Sequence, residues 1–439
     1  MMNKNMSNSF KNTLIIGSGP VAINMIINLS KGFSDEIGIV IRNSSKSICF
    51  VEQLKNNNFT LKGNVAKKEL AMMEGSYRLQ NLYIDYSNIE DIWETIILCV
   101  PCDCYIEVLE KLDFNKLKKI KTIILMSPEF GSSILVSNYL KLYERDIEII
   151  SLSNYFGATK YTSKESLLEI TTKALKKKIY IGSTFKKSSK LLALKSFLKE
   201  IGVICEILDE PLEVESKNIT VFVHPAFLIN DISLNQVFDY DKTNKYVYKL
   251  YPEGPITMKT IATMCSLWKE ISNVYSHLKI KPMNLLKFLN DDNYPVMEES
   301  ISRDDIDNFT QYSKIKQEYL LYVRYSSILI DPFSITDKEG KYFEFSKVPY
   351  PKIYKDSLGK WNIPRMPFED YRKIKLLYNI GAMLDIEMKN TKDLIYVFDM
   401  HLNRFINDKG KENMNNHIFK DDILNNAKII VEERFNESK

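Results

Sequence analysis

Nine residues near the start of the chain constrain it most: Leu14-Ile15-Ile16-Gly17-Ser18-Gly19-Pro20-Val21-Ala22. An apolar run of strand length meets a glycine, a second glycine two residues on and an alanine three beyond, where a helical period opens. Gly17 permits the tight turn, Gly19 leaves the backbone open to close approach, and Ala22 lets the helix lie against the strand. Pro20 at the first helical position gives up an N–H that has no partner there anyway. Such a helix start presents free amides and partial positive charge, which suits a pyrophosphate. Many glycine trios are plain turns. Here strand, turn and helix agree, and Gly17, Ser18, Gly19, Pro20, Val21 and Ala22 are expected to bind a dinucleotide.

The same alternation continues through the first half. Strands are expected at Thr13–Ile16, Ile37–Ile41, Thr95–Val100, Thr122–Met126, Glu148–Leu152, Lys178–Ile181 and Val203–Ile207. Helices are expected at Val21–Leu29, Lys46–Leu54, Tyr105–Leu112, Ser132–Leu140 and Ser188–Ile201. Short apolar runs separated by helical periods indicate an α/β fold, a Rossmann-type doubly wound and mostly parallel sheet covered on both faces. Phe59–Lys62 and Tyr77–Ile84 read as an extra hairpin. Beyond Pro211 strand-like runs become rare and helical periods dominate, as in Thr257–Leu278, Met283–Asn290 and Lys314–Ile330. The expected organisation is a nucleotide-binding domain over 1–210 and a mainly α-helical catalytic domain over 211–439.

Composition narrows the function. The 439 residues are 45% hydrophobic and 26% charged, an ordinary globular balance. A net charge of +4 is too small to imply a nucleic-acid partner. The longest apolar runs, such as Ile96–Val100, are strand-sized, so no membrane span is expected. The polar opening Met1–Asn8 lacks the apolar core of a signal peptide, and a cytoplasmic protein is expected. Six cysteines in so long a chain do not read as a disulfide scaffold. Cys99, Cys102 and Cys104 have partly metal-like spacing but no second Cys/His pair to complete a tetrahedral set, so no metal site is expected.

The end of the second strand bears on the choice of cofactor. NAD-selective folds often carry an acidic residue there for the ribose hydroxyls. This chain has Arg42-Asn43-Ser44-Ser45-Lys46 instead. A guanidinium repels no phosphate and grips one bidentately, with serine hydroxyls adding donors, so NADP(H) is favoured over NAD(H). The common alternative is a solvated loop cation. Cys99-Val100-Pro101 and Ser127-Pro128-Glu129-Phe130-Gly131 end the next two central strands, on the edge where ligands sit in doubly wound sheets.

Histidine is the natural acid–base near neutral pH, and there are four: His224, His277, His401 and His417. His224 interrupts an apolar run, Val221-Phe222-Val223-His224-Pro225-Ala226-Phe227. Such a histidine is more often a hydrogen-bonded core residue than a catalyst. Asp331 follows a long apolar helical stretch, where a carboxylate is costly unless paired, and either caps the helix or orients a histidine. Lys249, Arg324 and Arg365 are the candidate cations for substrate carboxylates.

The residues also resemble a family, the opine metallophore dehydrogenases of the staphylopine, pseudopaline and bacillopaline group. The resemblance spans nearly the whole chain. It rests on Ile16–Ile23, Ser127–Ser132, Val223-His224-Pro225 with Asn230-Asp231, Tyr246–Met258, Glu318–Tyr325, Asp331–Ser334 and Ile363–Pro367. It implies an NADPH-dependent reductive condensation. A 2-oxo acid, pyruvate or 2-oxoglutarate, meets the primary amine of a histidine-derived aminobutyrate, and the imine is reduced to a secondary amine that chelates zinc, nickel, cobalt or copper. It also implies a homodimer, His224 as the acid–base, Arg42 on the 2′-phosphate and Lys46 as its helper. Ala158 stands where the staphylopine branch carries Asp. Loss of that carboxylate removes repulsion against a second substrate carboxylate and leans the choice toward 2-oxoglutarate. Two other readings stand beside this one: a Rossmann-plus-helical hydroxy-acid dehydrogenase, which needs no amine, and a dinucleotide-binding sensor without catalysis.

Overall fold

In the computed structural model the residues described are 10–293, 295–330 and 348–436, with the side chains of 328–330 set aside. The chain divides into two compact units at Asn218/Ile219.

The first unit opens with β1 (Thr13–Ile16), α1 (Pro20–Leu29), β2 (Ile37–Ile41), α2 (Ser45–Asn56), β3 (Thr60–Val65), β4 (Gly75–Arg78), β5 (Asn81–Ile84) and β6 (Thr95–Leu98). It continues with α3 (Tyr105–Glu110), β7 (Thr122–Leu125), α4 (Ser132–Leu140), β8 (Glu148–Leu152), β9 (Gly157–Tyr161) and β10 (Glu169–Leu175). It closes with β11 (Lys178–Ser183), α5 (Ser189–Glu200), β12 (Ile204–Ile207) and α6 (Pro211–Glu215). Eight strands form one sheet in the order β12-β11-β8-β7-β6-β1-β2-β5. All neighbours from β8 to β5 pair parallel, while β11 runs antiparallel to β8. Every residue of β1, β2, β6, β7 and β8 is buried, which is why these strands are largely apolar, with Thr13, Thr95, Thr122, Glu148 and Ser151 as buried polar exceptions. Alternation still sorts the two faces. Ile15, Ile39, Ile97, Ile124 and Ile150 enter one core, and Leu14, Ile16, Val40, Ile96 and Ile123 the other.

The expected hairpin forms only in part. β3 and β4 pair antiparallel, but the chain then crosses sheets and β5 joins β2 in parallel. A second sheet, β4-β3-β10-β9, packs against α1. Its strands β9 (GATKY) and β10 (EITTKAL) are half-exposed and rich in Thr and Lys, so no apolar run announces them.

The second unit contains α7 (Thr220–Leu228), α8 (Asp231–Val237), α9 (Met258–His277), α10 (Leu285–Phe288), α11 (Arg303–Asp307) and α12 (Lys314–Ile330). These are followed by a short β13 (Tyr354–Lys355) and β14 (Trp361–Asn362), then α13 (Arg365–Met383), α14 (Lys389–Lys409) and α15 (Ile423–Asn436). α7 lies against α9 and α13, and α13 against α14 and α15. α7 runs through Pro225, which interrupts the backbone ladder at a cost of about 3 kcal/mol. Phe222, Phe227 and Leu228, all fully buried, offset it at roughly 1.5–3 kcal/mol each. The His-Pro break in the apolar run is therefore no break in the helix. In α13 the backbone is non-helical at Met366, so the regular helix starts at Pro367.

Candidate active site

In the first unit the carboxyl ends of β1 and β6 lie side by side, where the strand order reverses. Ligands of doubly wound sheets bind in that crevice. Gly17 has φ +121°, and a Cβ there would stand 2.7 Å from the Cys99 carbonyl oxygen. Its amide donates to the Val40 carbonyl at 3.0 Å, and the Cys99 amide to the Ile16 carbonyl at 2.9 Å. The turn is thus locked between β2 and β6. Gly19 is the opposite case, since a Cβ there would meet nothing within 4 Å. α1 begins immediately after it with Pro20, with no side-chain cap and no acidic residue in its first turn. Ala22 is fully buried, and the Tyr161 hydroxyl on β9 donates to the Ser18 carbonyl at 2.9 Å. An open cradle over uncapped helix amides fits a pyrophosphate.

Arg42 follows β2 directly and is exposed, as are Asn43 and Lys46. The Lys46 ammonium lies 5.2 Å from the centre of the Tyr161 ring. Burial, and then the nearby Arg42 charge, hold the Lys46 ammonium below its usual lysine range. Arg42 also acts on Tyr86, whose hydroxyl burial pushes up to about 12 while the guanidinium pulls it down. Among the described residues neither Arg42 nor Lys46 has a carboxylate partner. Two neighbouring cations of this kind fit an anion such as the ribose 2′-phosphate. The Ser44 hydroxyl caps α2 by accepting from the Ser47 amide at 3.3 Å, which leaves its O–H as a donor. Burial pushes the Cys99 thiol up, so it stays protonated, and Val100 packs beside Gly17. Among the described residues no cluster suits a metal ion. Arg42→Ala is expected to raise the KM for NADPH about 10- to 100-fold and to leave NADH nearly unaffected; parallel steady-state titrations check this.

In the second unit His224 Nδ1 lies 3.2 Å from Asp370 Oδ1, on α13. The imidazole is 19% exposed and Asp370 only 2%. The carboxylate fixes Nδ1 as the donor and orients the ring, so Nε2 is left to take or give a proton. Among the described residues Nε2 has no hydrogen-bond partner. The neighbouring Glu369 pairs with Lys373, and with Arg365 Nε at 3.4 Å. Burial raises the Glu369 carboxyl, but Lys373, Arg365 and then His224 outweigh it and hold it below the usual carboxylate range.

Asp331 lies outside the described residues. Asp370 was missed because 146 residues separate it from His224. A signal existed: Asp370 occupies the buried stripe that continues in Ile374 and Leu377, an acid where the helix otherwise faces the core. Of the three candidate cations, Arg324 is buried and donates to the Leu289 carbonyl at 2.9 Å. Lys249 pairs with Glu253 at 3.6 Å. Arg365 is exposed and shares α13 with Asp370. Ala158 is exposed on β9. The other histidines have plainer partners: His277 the Asn273 carbonyl, His417 Asn415, and His401 the exposed Asp231.

A family model described as staphylopine dehydrogenase matches residues 11–434. The staphylopine synthase of Staphylococcus aureus is 37% identical over 377 residues, 85% of this chain and 87% of that protein. The pseudopaline synthase of Pseudomonas aeruginosa is 34% identical over 403 residues, 92% of each chain. The solved structure of an NADP+-bound yersinopine dehydrogenase superposes with a TM-score of 0.89 at 31% identity, covering 98% of this chain and 99% of that one.

Proposed function

The chain belongs to the staphylopine dehydrogenase family of NADP-dependent, opine-forming oxidoreductases, and from that premise we propose that it condenses a 2-oxo acid with the primary amine of a histidine-derived aminobutyrate and reduces the product to a metal-chelating opine. The observation that carries the proposal is the His224–Asp370 pair. Addition of an amine to a ketone and loss of water need a proton donor at the departing oxygen, and reduction of the resulting imine needs the nitrogen protonated. His224 Nε2 serves both steps, while Asp370 holds Nδ1 and stabilises the imidazolium. NADPH, when bound, supplies the hydride. The Gly17–Ala22 turn holds the pyrophosphate, Arg42 and Lys46 hold the 2′-phosphate, and Arg365 offers the oxo-acid carboxylate a guanidinium fork.

The decisive experiment is NADPH oxidation with and without each substrate, with mass spectrometry of the product. Oxidation only when oxo acid and amine are both present, with the mass of a secondary amine, supports the reading. Turnover without an amine defeats it in favour of a hydroxy-acid dehydrogenase, and tight NADPH binding with no oxidation in favour of a sensor.

We favour 2-oxoglutarate, because Ala158 brings no carboxylate against its second carboxylate. Ala158→Asp is expected to lower kcat/KM for 2-oxoglutarate at least about tenfold while sparing pyruvate. A strong pyruvate preference in the unsubstituted enzyme overturns this choice. We also propose a cytoplasmic homodimer. All six cysteines are free, which fits a reducing compartment. No helix among the described residues is long and apolar enough to cross a membrane. Exposed Tyr396 and Met400 on α14 are candidates for burial between copies, which sedimentation would test.

A further inference from the structure

The loop after β7 is held by a buried acid that the chemistry above does not use. Glu215, at the end of α6, is 1% exposed. Its Oε2 accepts from the Gly131 amide at 2.9 Å, and its Oε1 from the Ser133 amide at 2.9 Å and the Ser151 hydroxyl at 2.8 Å. Among the described residues no cation pairs with it. α4 starts from Gly131, which has φ +86° and no side chain with which to cap the helix. Glu215 therefore supplies, from 84 residues away, the acceptor that α4 lacks. Burial pushes its carboxyl up to about 8, while Ser151 and the Ser133 and Gly131 amides pull the other way.

The same loop is tied at three further points. The Ser127 amide donates to the Tyr105 hydroxyl at 3.1 Å, the Ser127 hydroxyl to Asn154 Oδ1 at 3.3 Å, and Asn218 Nδ2 to the Pro128 carbonyl at 3.4 Å. A buried carboxyl with no cation among the described residues is an expensive way to hold a turn. Its expense points to a loop whose position matters.

Topology says what the loop is for. The pyrophosphate cradle lies at the end of β1, and Arg42, the 2′-phosphate candidate, at the end of β2. The adenosine half therefore takes the β2 side, and the nicotinamide half runs the other way, past β6 toward β7. Strands stand about 4.8 Å apart, so the β7 loop lies roughly 10 Å from β1. We infer that Glu215 is a positioning residue for the cofactor: it holds Ser127–Gly131 preformed as the wall against which the nicotinamide half seats. The inference rests on the dinucleotide reading of the first unit, and not on the identity of the substrates.

Glu215→Gln tests it. The amide nitrogen must face either the Gly131 N–H or the Ser133 N–H, and no rotamer of the amide satisfies both. NADPH affinity, read from the emission of the bound nicotinamide without other substrates, is expected to fall about tenfold, with the oxo-acid KM within about twofold. Unchanged NADPH affinity in a variant that merely melts earlier makes Glu215 structural and overturns the inference. Should the variant not fold, amide exchange in the unsubstituted protein decides. Gly131 and Ser133 are expected to be protected equally with and without NADPH. Protection that appears only with NADPH overturns the proposal. An unsubstituted chain that binds NADPH but forms no opine defeats the proposed function and leaves this inference standing.

Discussion

Replacing His224 with alanine is expected to lower kcat by about three orders of magnitude while the affinity for NADPH stays within about twofold. The size follows from the geometry. In the proposed chemistry a single imidazole, oriented by Asp370 at 3.2 Å, serves both proton transfers, and among the described residues its Nε2 is committed to nothing else. The proposed cofactor residues belong to the first unit and are untouched. Asp370→Asn is the companion variant. An asparagine can still accept from Nδ1–H but cannot stabilise the imidazolium, so kcat is expected to fall by about two to four orders of magnitude, again with NADPH binding retained. Asp370 is nearly fully buried, and His224→Ala leaves its carboxylate without that partner. Some loss of thermal stability is expected in that variant, and His224→Asn separates it from the chemistry by restoring a donor. Steady-state kinetics beside melting curves check the set. Near-normal turnover in His224→Ala would return the residue to the role of a hydrogen-bonded core histidine.

The second large effect is expected at the glycine turn, where two glycines one residue apart make opposite predictions. Gly17→Ala should abolish measurable NADPH binding, a loss of at least about a hundredfold, and lower the melting temperature as well. The new Cβ would lie 2.7 Å from the Cys99 carbonyl oxygen at φ +121°, and neither obstacle is a side chain that can swing away. Either the β1–α1 turn or the end of β6 must move, and both border the crevice. Gly19→Ala should leave the melting temperature unchanged, because its Cβ meets nothing within 4 Å. Its cost should appear only when the pyrophosphate arrives, as about a tenfold loss of NADPH affinity. Titration of NADPH fluorescence with parallel calorimetry distinguishes the two. If Gly19→Ala bound NADPH normally, the pyrophosphate would not lie over that turn.

Some of this was legible along the chain because it is local. β1, β2 and β8 begin and end at the expected residues, since strands buried on both faces show as short, largely apolar runs set between helical periods. The glycine turn, the uncapped start of α1 and the basic step after β2 were readable for the same reason, because each depends on neighbours a few residues apart. Strands β9 and β10 were not, because a half-exposed strand rich in Thr and Lys carries no periodicity strong enough to stand above a loop. The helix through His224 was hidden by Pro225, whose local penalty is outweighed when Phe222 is buried against Tyr275 of α9 and Phe227 against Tyr325 of α12.

What the sequence by itself determined is therefore the doubly wound first half, the helical second half, the glycine turn and the candidacy of His224. Only the tertiary structure decided that His224 is partnered by Asp370, that Glu215 caps a helix 84 residues before it, and that Arg42 and Lys46 feel each other's charge with no carboxylate partner among the described residues. The physical reason is that hydrogen bonds and charges act over a few ångströms of space and ignore separation along the chain. Periodicity records which face of an element is buried, and leaves open which distant residue will meet it there.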